Sequence, residues 1–170
     1  MMEIRNELDN MYNETDLSNH DFDDYIKFKA LGKSDVLSHI GVINDDGSVE
    51  VVNCHYDGDI EKNGRKLVEY HNSVGLAKMV VRYGSIISLG KYSHYYKNRN
   101  KNDITVHRKY RKDTPMRFET VTHYVKAIKS DIVNVKYYYL FGNDKVFSKT
   151  WWVSSDGKEW KKVIKKLDNS

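Results

Sequence analysis

Cysteine occurs once in the 170 residues, at Cys54, so no internal disulfide can form and a reducing compartment, the cytoplasm, is the expected setting. Proline also occurs once, at Pro115, and glycine ten times, which leaves little material for a long flexible linker. No apolar run approaches the ~20 residues needed to span a bilayer. The opening stretch MMEIRNELDN has neither the basic start nor the apolar segment of a secretory leader, and none is expected. The chain also lacks a cysteine pair for a zinc knuckle, a Gly-x-Gly-x-x-Gly turn, a phosphate-binding Gly-Lys-Ser/Thr loop and a nucleophile elbow. The sequence therefore offers no ready-made cradle for a nucleotide or structural metal, and no cofactor is expected.

What is present suits one folded domain. Hydrophobic residues make up 39% of the chain, enough for a core, and charged residues 31%. The charge is unevenly placed. Residues 1–24 carry eight acidic and one basic side chain, whereas residues 91–129 carry eleven basic and three acidic. An acidic head thus precedes a basic middle. Such a basic patch attracts nucleic acid, nucleotides or an acidic protein surface, or else is simply solvated.

Periodicity gives the outline. Residues 1–33 read as an acidic N-terminal extension, an accessory docking arm. It contains a short amphipathic helix on which Phe22, Tyr25, Ile26 and Lys29 recur at helical spacing. Residues 34–170 read as a single α+β domain. Val36, Ser38, Ile40 and Val42 alternate, Asn44-Asp45-Asp46-Gly47 is a turn, and Val49, Val51 and Val52 lie on a return strand from Ser48 to His55. A helix up to His71 is expected from Ile60, Leu67 and Val68. Another runs from Val74 to Tyr83 with Leu76, Met79, Val80 and Tyr83 on one face, and Gly84 stops it. After a polar stretch, a strand is placed near Ile104–His107. Phe118–Ile128 fits a helix or a strand. Val133–Phe141 and Val146–Val153 form a second hairpin, Ser154-Ser155-Asp156-Gly157 turns, and Lys158–Leu167 ends the chain as strand or short helix. The expected architecture is a small antiparallel sheet built from the two hairpins and packed with two or three helices.

Cys54-His55-Tyr56-Asp57-Gly58, followed by Gly64 and Leu67, resembles a family of small uncharacterised phage and prophage proteins. Its pattern is a hairpin ending in Tyr-Cys-His-Trp-Asp-Gly, with glycine six positions on and leucine three after that. Val80–Leu89, Asp103–Arg108, Tyr137–Phe141 and Trp151 follow that family's order, so the similarity spans residues 36–153. Tyr56 stands where the family has Trp, and Ser85 where it has Asp. The family has no established enzymatic activity. The resemblance implies a phage accessory product of the kind that interferes with host defence or host machinery.

Three groups of residues could carry chemistry. The first is His55, Asp57, Asp59 and His71, metal-ligand types beside Cys54. Against a metal role, strand alternation points His55 and Cys54 apart. The structural reading has Cys54 buried, Asp57 accepting a hydrogen bond from a following amide, and Gly58 supplying a backbone conformation that other residues disfavour. The second group is the basic, tyrosine-rich stretch bearing Lys91, Tyr95, Tyr96, Lys97, Arg99, Lys101, Arg108, Lys109, Arg111 and Lys112, with Tyr92 and Tyr110. Lysine and arginine pair with phosphates or carboxylates, and tyrosine stacks on bases or anchors protein contacts. The third is Trp151-Trp152 with Trp160, of which Trp151 is assigned to the core.

Three functions compete. The favoured one is an interaction protein that binds and inhibits a host protein or ribonucleoprotein complex in the manner of an anti-CRISPR product. The second is an RNA-, DNA- or nucleotide-binding protein. The third is a small metal-dependent hydrolase or nuclease.

Overall fold

A computed structural model describes residues 15–94, 100–108, 114–129, 134–142 and 149–164, with side chains from residue 22 onward. Among these residues are four α-helices and eight strands in one mixed sheet, an α+β fold. The chain begins with helix α1 (Thr15–Ala30). Strands β1 (Ser38–Ile43) and β2 (Val49–Cys54) form the first hairpin. Its turn closes where expected: Gly47 takes φ +86°, and Asp46 Oδ1 accepts from Ser48 N at 2.9 Å and Ser48 Oγ at 2.6 Å. A π-helical turn (Ile60–Gly64) runs straight into α2 (Arg65–Tyr70), and α3 (Val74–Arg82) follows. Then come β3 (Ile86–Ser88), a 3₁₀ turn (Lys101–Asp103), β4 (Val106–His107), and β5 (Met116–Phe118) directly after Pro115. Helix α4 (Val121–Lys129) resolves the ambiguous segment: strand as far as Phe118, helix beyond. Strands β6 (Tyr137–Phe141), β7 (Trp151–Ser154) and β8 (Lys161–Lys162) complete the sheet.

The first hairpin is present as read. Of the second, β6 and β7 pair antiparallel over Tyr137–Phe141 and Trp151–Ser154, while Val133 and the expected start of the return strand, 146–148, lie outside the described residues. The two pairs join through a parallel pairing of β1 with β6. The strand order is β4-β3-β2-β1-β6-β7-β8, with β5 alongside the first half of β2. Strand β1 therefore lies inside the sheet and every one of its residues is buried, so its alternation separates two covered faces instead of core from solvent. On one face Ile40, Val52, Tyr139, Phe141 and Trp151 pack against Leu67 of α2 and Ala77, Val80 and Val81 of α3. On the other, Val49, Val51 and Leu140 meet Tyr124 and Ile128 of α4. Trp151 is fully buried, as assigned. Its Nε1 donates to His71 O at 3.0 Å.

Two helical faces depart from the sequence reading. In α1, Phe22 and Ile26 point to solvent, 57% and 53% exposed, and Phe28 is the buried side chain, against Tyr56 and Ile87. In α3 the buried residues are Ala77, Val80 and Val81, while Leu76 and Tyr83 are both 47% exposed. A ring of large apolar residues satisfied the 3.6-residue period from either side, and small, β-branched residues fit closer to the sheet. No helix among the described residues is long and apolar enough to cross a membrane.

Tyr139 links the sheet to the segment after β2: its hydroxyl donates to Gly58 O at 2.6 Å in a fully buried setting. Tyr139→Phe is expected to cost about 1–2 kcal/mol, because the carbonyl is left without a partner inside the core. Urea denaturation compared with the parent protein measures it.

Candidate functional site

The Cys-His-x-Asp-Gly segment is a structural joint. Asp57 lies at φ +58°, the one non-glycine residue at positive φ among the described residues, in a region that aspartate tolerates better than most side chains. Its Oδ1 accepts from Ser34 N at 2.9 Å and Ser34 Oγ at 3.2 Å, and Oδ2 from Lys33 Nζ at 3.3 Å. Lys62 Nζ stands 3.5 Å from Oδ1. Burial works to raise the carboxyl's pKa, but the Ser34 amide and the two ammonium groups outweigh it and hold the value below the usual carboxylate range. The joint thus ties the chain after α1 to the end of β2.

The detail corrects the expectation from sequence. The amide received by the Asp57 carboxylate comes from Ser34, 23 residues earlier. The following amide, Asn63 N, goes to the Asp57 main-chain oxygen at 3.0 Å. The unusual backbone angle belongs to Asp57, not Gly58. Gly58 is needed for space, since a Cβ there would lie 2.7 Å from Val36 O and 3.1 Å from Leu37 O.

The four candidate metal ligands are dispersed. Asp57 and Asp59 approach the same Ser34 hydroxyl, but Lys33 and Lys62 already supply the positive charge there. His55 faces Asp35 at 3.5 Å and rests against Tyr25 and Tyr56. His71 points into the core toward Gly90. Among the described residues no three histidine, cysteine or acidic side chains are grouped as metal ligands. Cys54 is buried, near Asn63 Nδ2 at 3.4 Å, and burial pushes its thiol up to about 11. It is a protonated core side chain rather than a nucleophile.

His71 is 1% exposed. Its Nε2 lies 2.8 Å from Gly90 O, which assigns the proton to Nε2, and Nδ1 has no partner among the described residues. Burial lowers its pKa, opposed by the Gly90 carbonyl and reinforced by Lys66. Burial is likewise the leading cause of the lowered values at His55 and His107. The unfolded chain thus takes up protons more readily, so stability from these groups is complete above the unfolded value of about 6.5 and declines as pH falls below it. The denaturation midpoint is expected to drop between pH 7.5 and pH 5, with a shallower drop in His71→Gln. Equal slopes would contradict the assignment.

The basic, tyrosine-rich stretch has a defined root. Gly90 N donates to Thr105 Oγ1 at 2.9 Å, Tyr92 N to Asp103 O at 3.0 Å and Thr105 N to Tyr92 O at 2.8 Å. Tyr92 and Ile104 thus stand side by side as a closed neck at the sheet edge, with residues 93–94 leaving it and residues 100–103 returning to it. Lys91 holds its ammonium 5.5 Å from the Tyr70 ring centre, and Tyr70 meets Tyr92 edge-on at 6.1 Å. Lys101 is exposed in the 3₁₀ turn, and Arg108 N donates to Ser85 O at 3.0 Å. Tyr95, Tyr96, Lys97, Arg99, Lys109, Arg111 and Lys112 lie outside the described residues. Sequence reasoning missed Lys33, Ser34 and Lys62 as partners of Asp57. It also missed Gly90, Thr105 and His71 as the neck, because each acts across a gap in sequence and none belongs to a local pattern.

No protein-family model, curated protein or solved structure matched this chain.

Proposed function

We propose that the chain is an interaction protein, phage-encoded, that binds a host protein or ribonucleoprotein complex in the host cytoplasm and inhibits it. The contact surface is the basic, tyrosine-rich loop. The observation that carries this reading is the loop's closed neck: a segment rich in lysine, arginine and tyrosine is rooted in the sheet edge by Gly90, Tyr92 and Thr105. Binding residues are commonly presented by loops on a rigid frame, where little ordering is needed at the moment of contact. The phage setting and the inhibitory role rest on the sequence resemblance.

Direct binding of single-stranded RNA or DNA is the second reading. The ladder of Lys91, Tyr70 and Tyr92 at the base of the loop favours it, since cations interleaved with rings suit phosphates and bases. The hydrolase reading finds less support, because the carboxylate of Asp57 is engaged by Ser34 and Lys33.

The test is affinity capture from host lysate with the wild-type chain and a Lys97→Glu/Arg99→Glu/Lys101→Glu variant, with and without nuclease. A defined complex held by wild type, lost by the variant and resistant to nuclease is the expected result. Loss on nuclease treatment favours the nucleic-acid reading, and identical capture by both baits contradicts the role of the loop.

A further inference from the structure

The outer face of α3 carries more apolar surface than an exposed helix of this kind needs. Leu76 and Tyr83, seven residues apart, lie on one line along the helix, with Met79 between them. Leu76 and Tyr83 are each 47% exposed. Beside that line, Lys78 and Arg82 follow at i and i+4 and border an open cleft of about 390 Å³ whose far wall includes Val42, Glu50 and Pro115. Arg82 lies over the Tyr83 ring at 5.7 Å, with Nη1 3.9 Å from Met79 Sδ. Neither Lys78 nor Arg82 has a carboxylate partner among the described residues. Glu50, the one acidic group lining the cleft there, is held by Arg117 at 3.2 Å.

Tyr83 joins this face to the loop. Its ring meets His94, inside the loop, at 6.2 Å and His107 of β4 at 5.7 Å. The apolar line of α3, the cleft and the root of the basic loop are therefore neighbouring parts of one side of the molecule.

We infer that the outer face of α3 is a docking surface for an acidic, amphipathic segment of a partner protein. That segment would place apolar side chains on Leu76, Met79 and Tyr83 and carboxylates on Lys78 and Arg82. This deepens the proposed function and rests on it for the identity of the side that faces the partner. The two cations, one helical turn apart, match carboxylates spaced one turn apart on a helix. A nucleic acid would use the cations but gains little from Leu76 and Met79, which neither stack on bases nor hydrogen-bond to them. A protein segment uses both, and apolar anchors ringed by charge are the usual arrangement of such contacts.

The experiment uses the full chain and a labelled helical peptide with glutamate and leucine one turn apart on one face. Controls are the same peptide with serine for leucine, the same peptide with lysine for glutamate, and a labelled single-stranded RNA. The Glu/Leu peptide is expected to bind, and the serine and lysine peptides to bind roughly tenfold or more weakly. Lys78→Glu/Arg82→Glu and Leu76→Ser, changes at the outer face that leave the Tyr83 contacts to His94 and His107 in place, should each weaken the Glu/Leu peptide by a similar factor without moving the thermal midpoint appreciably. Absence of binding at millimolar peptide, equal binding of the serine peptide, stronger binding of the RNA at the same face, or variants that bind as wild type would each overturn the inference. The host-complex capture described above separates the two claims. If only the loop variant loses the complex, the loop reading stands and the α3 face falls; if only the α3 variants lose it, the reverse holds.

Discussion

Asp57→Ala is expected to destabilise the protein by roughly 3–4 kcal/mol, the larger part from lost charge-assisted hydrogen bonds and the rest from forcing alanine into the left-handed region. The side chain accepts from Ser34 N and Oγ and from Lys33 Nζ, and Lys62 stands beside it. Removing it leaves a part-buried amide and a mostly buried ammonium without their acceptor. Asp57→Asn keeps the tolerance for φ +58° and one acceptor oxygen, so it should cost about half as much. The acid limb gives an independent check. The folded carboxyl titrates below its usual value, so its contribution is complete above the unfolded value of about 3.9 and is lost as pH falls through the folded value. Asp57→Asn should therefore flatten acid unfolding below pH 4 while leaving the slope between pH 5 and pH 8 unchanged. Guanidinium titrations across that range measure both. A stable Asp57→Ala protein that had lost a metal-dependent activity would reverse the assignment of this residue from joint to active site.

Gly90→Ala is expected to be as damaging and more local. A Cβ at Gly90 would stand 2.3 Å from Asp103 O, 2.4 Å from Ile104 C and 2.5 Å from Thr105 N. All three are main-chain atoms of the segment between the 3₁₀ turn and β4, which cannot rotate aside as a side chain can. The neck must open, at a cost of roughly 3 kcal/mol. The hydrogen bonds from Gly90 N to Thr105 and from His71 to Gly90 O fail with it. Partner binding should fall even though every lysine, arginine and tyrosine of the loop is unchanged. Gly75→Ala is the matched control: nothing lies within 4 Å of a Cβ there, so the helix should gain about 0.5–1 kcal/mol. If Gly90→Ala folded and bound as wild type, the neck would not be what presents the loop.

The parts legible in the sequence were those governed by neighbours in the chain. Val49, Val51 and Val52 beyond an Asp-Asp-Gly turn specified the first hairpin, and its register runs from Ser38 opposite Cys54 to Ile43 opposite Val49. The stop of α3 at Gly84 and the break at Pro115 were equally local. The parallel pairing of β1 with β6 was not legible, because strand alternation carries no information about which edge a distant strand takes. Nor was the orientation of α3. Of Leu76, Met79, Val80 and Tyr83, the face read from the sequence, only Val80 is buried; Ala77 and Val81 join it, because the space above the sheet selects the smaller residues. At the candidate site, the prominence of Asp57-Gly58 was visible, but its partners Lys33 and Ser34 lie beyond any local motif. The basic stretch was visible as composition alone. Its root at Gly90, Tyr92 and Thr105 required the fold.

The central claim is that the basic stretch from Lys91 to Lys112, which β4 divides, presents its charge to an anionic partner. The most direct measurement is elution from an immobilised polyanion, heparin, across a salt gradient, for the wild-type chain and the Lys97→Glu/Arg99→Glu/Lys101→Glu variant, with thermal midpoints recorded in parallel. Binding through exposed charges weakens steeply with salt. The account predicts that the wild-type chain is retained and elutes at clearly higher salt than the variant, with both proteins folded as judged by their midpoints. Co-elution of the two proteins at the same salt concentration, with both folded, would contradict it and leave the stretch as a solvated loop.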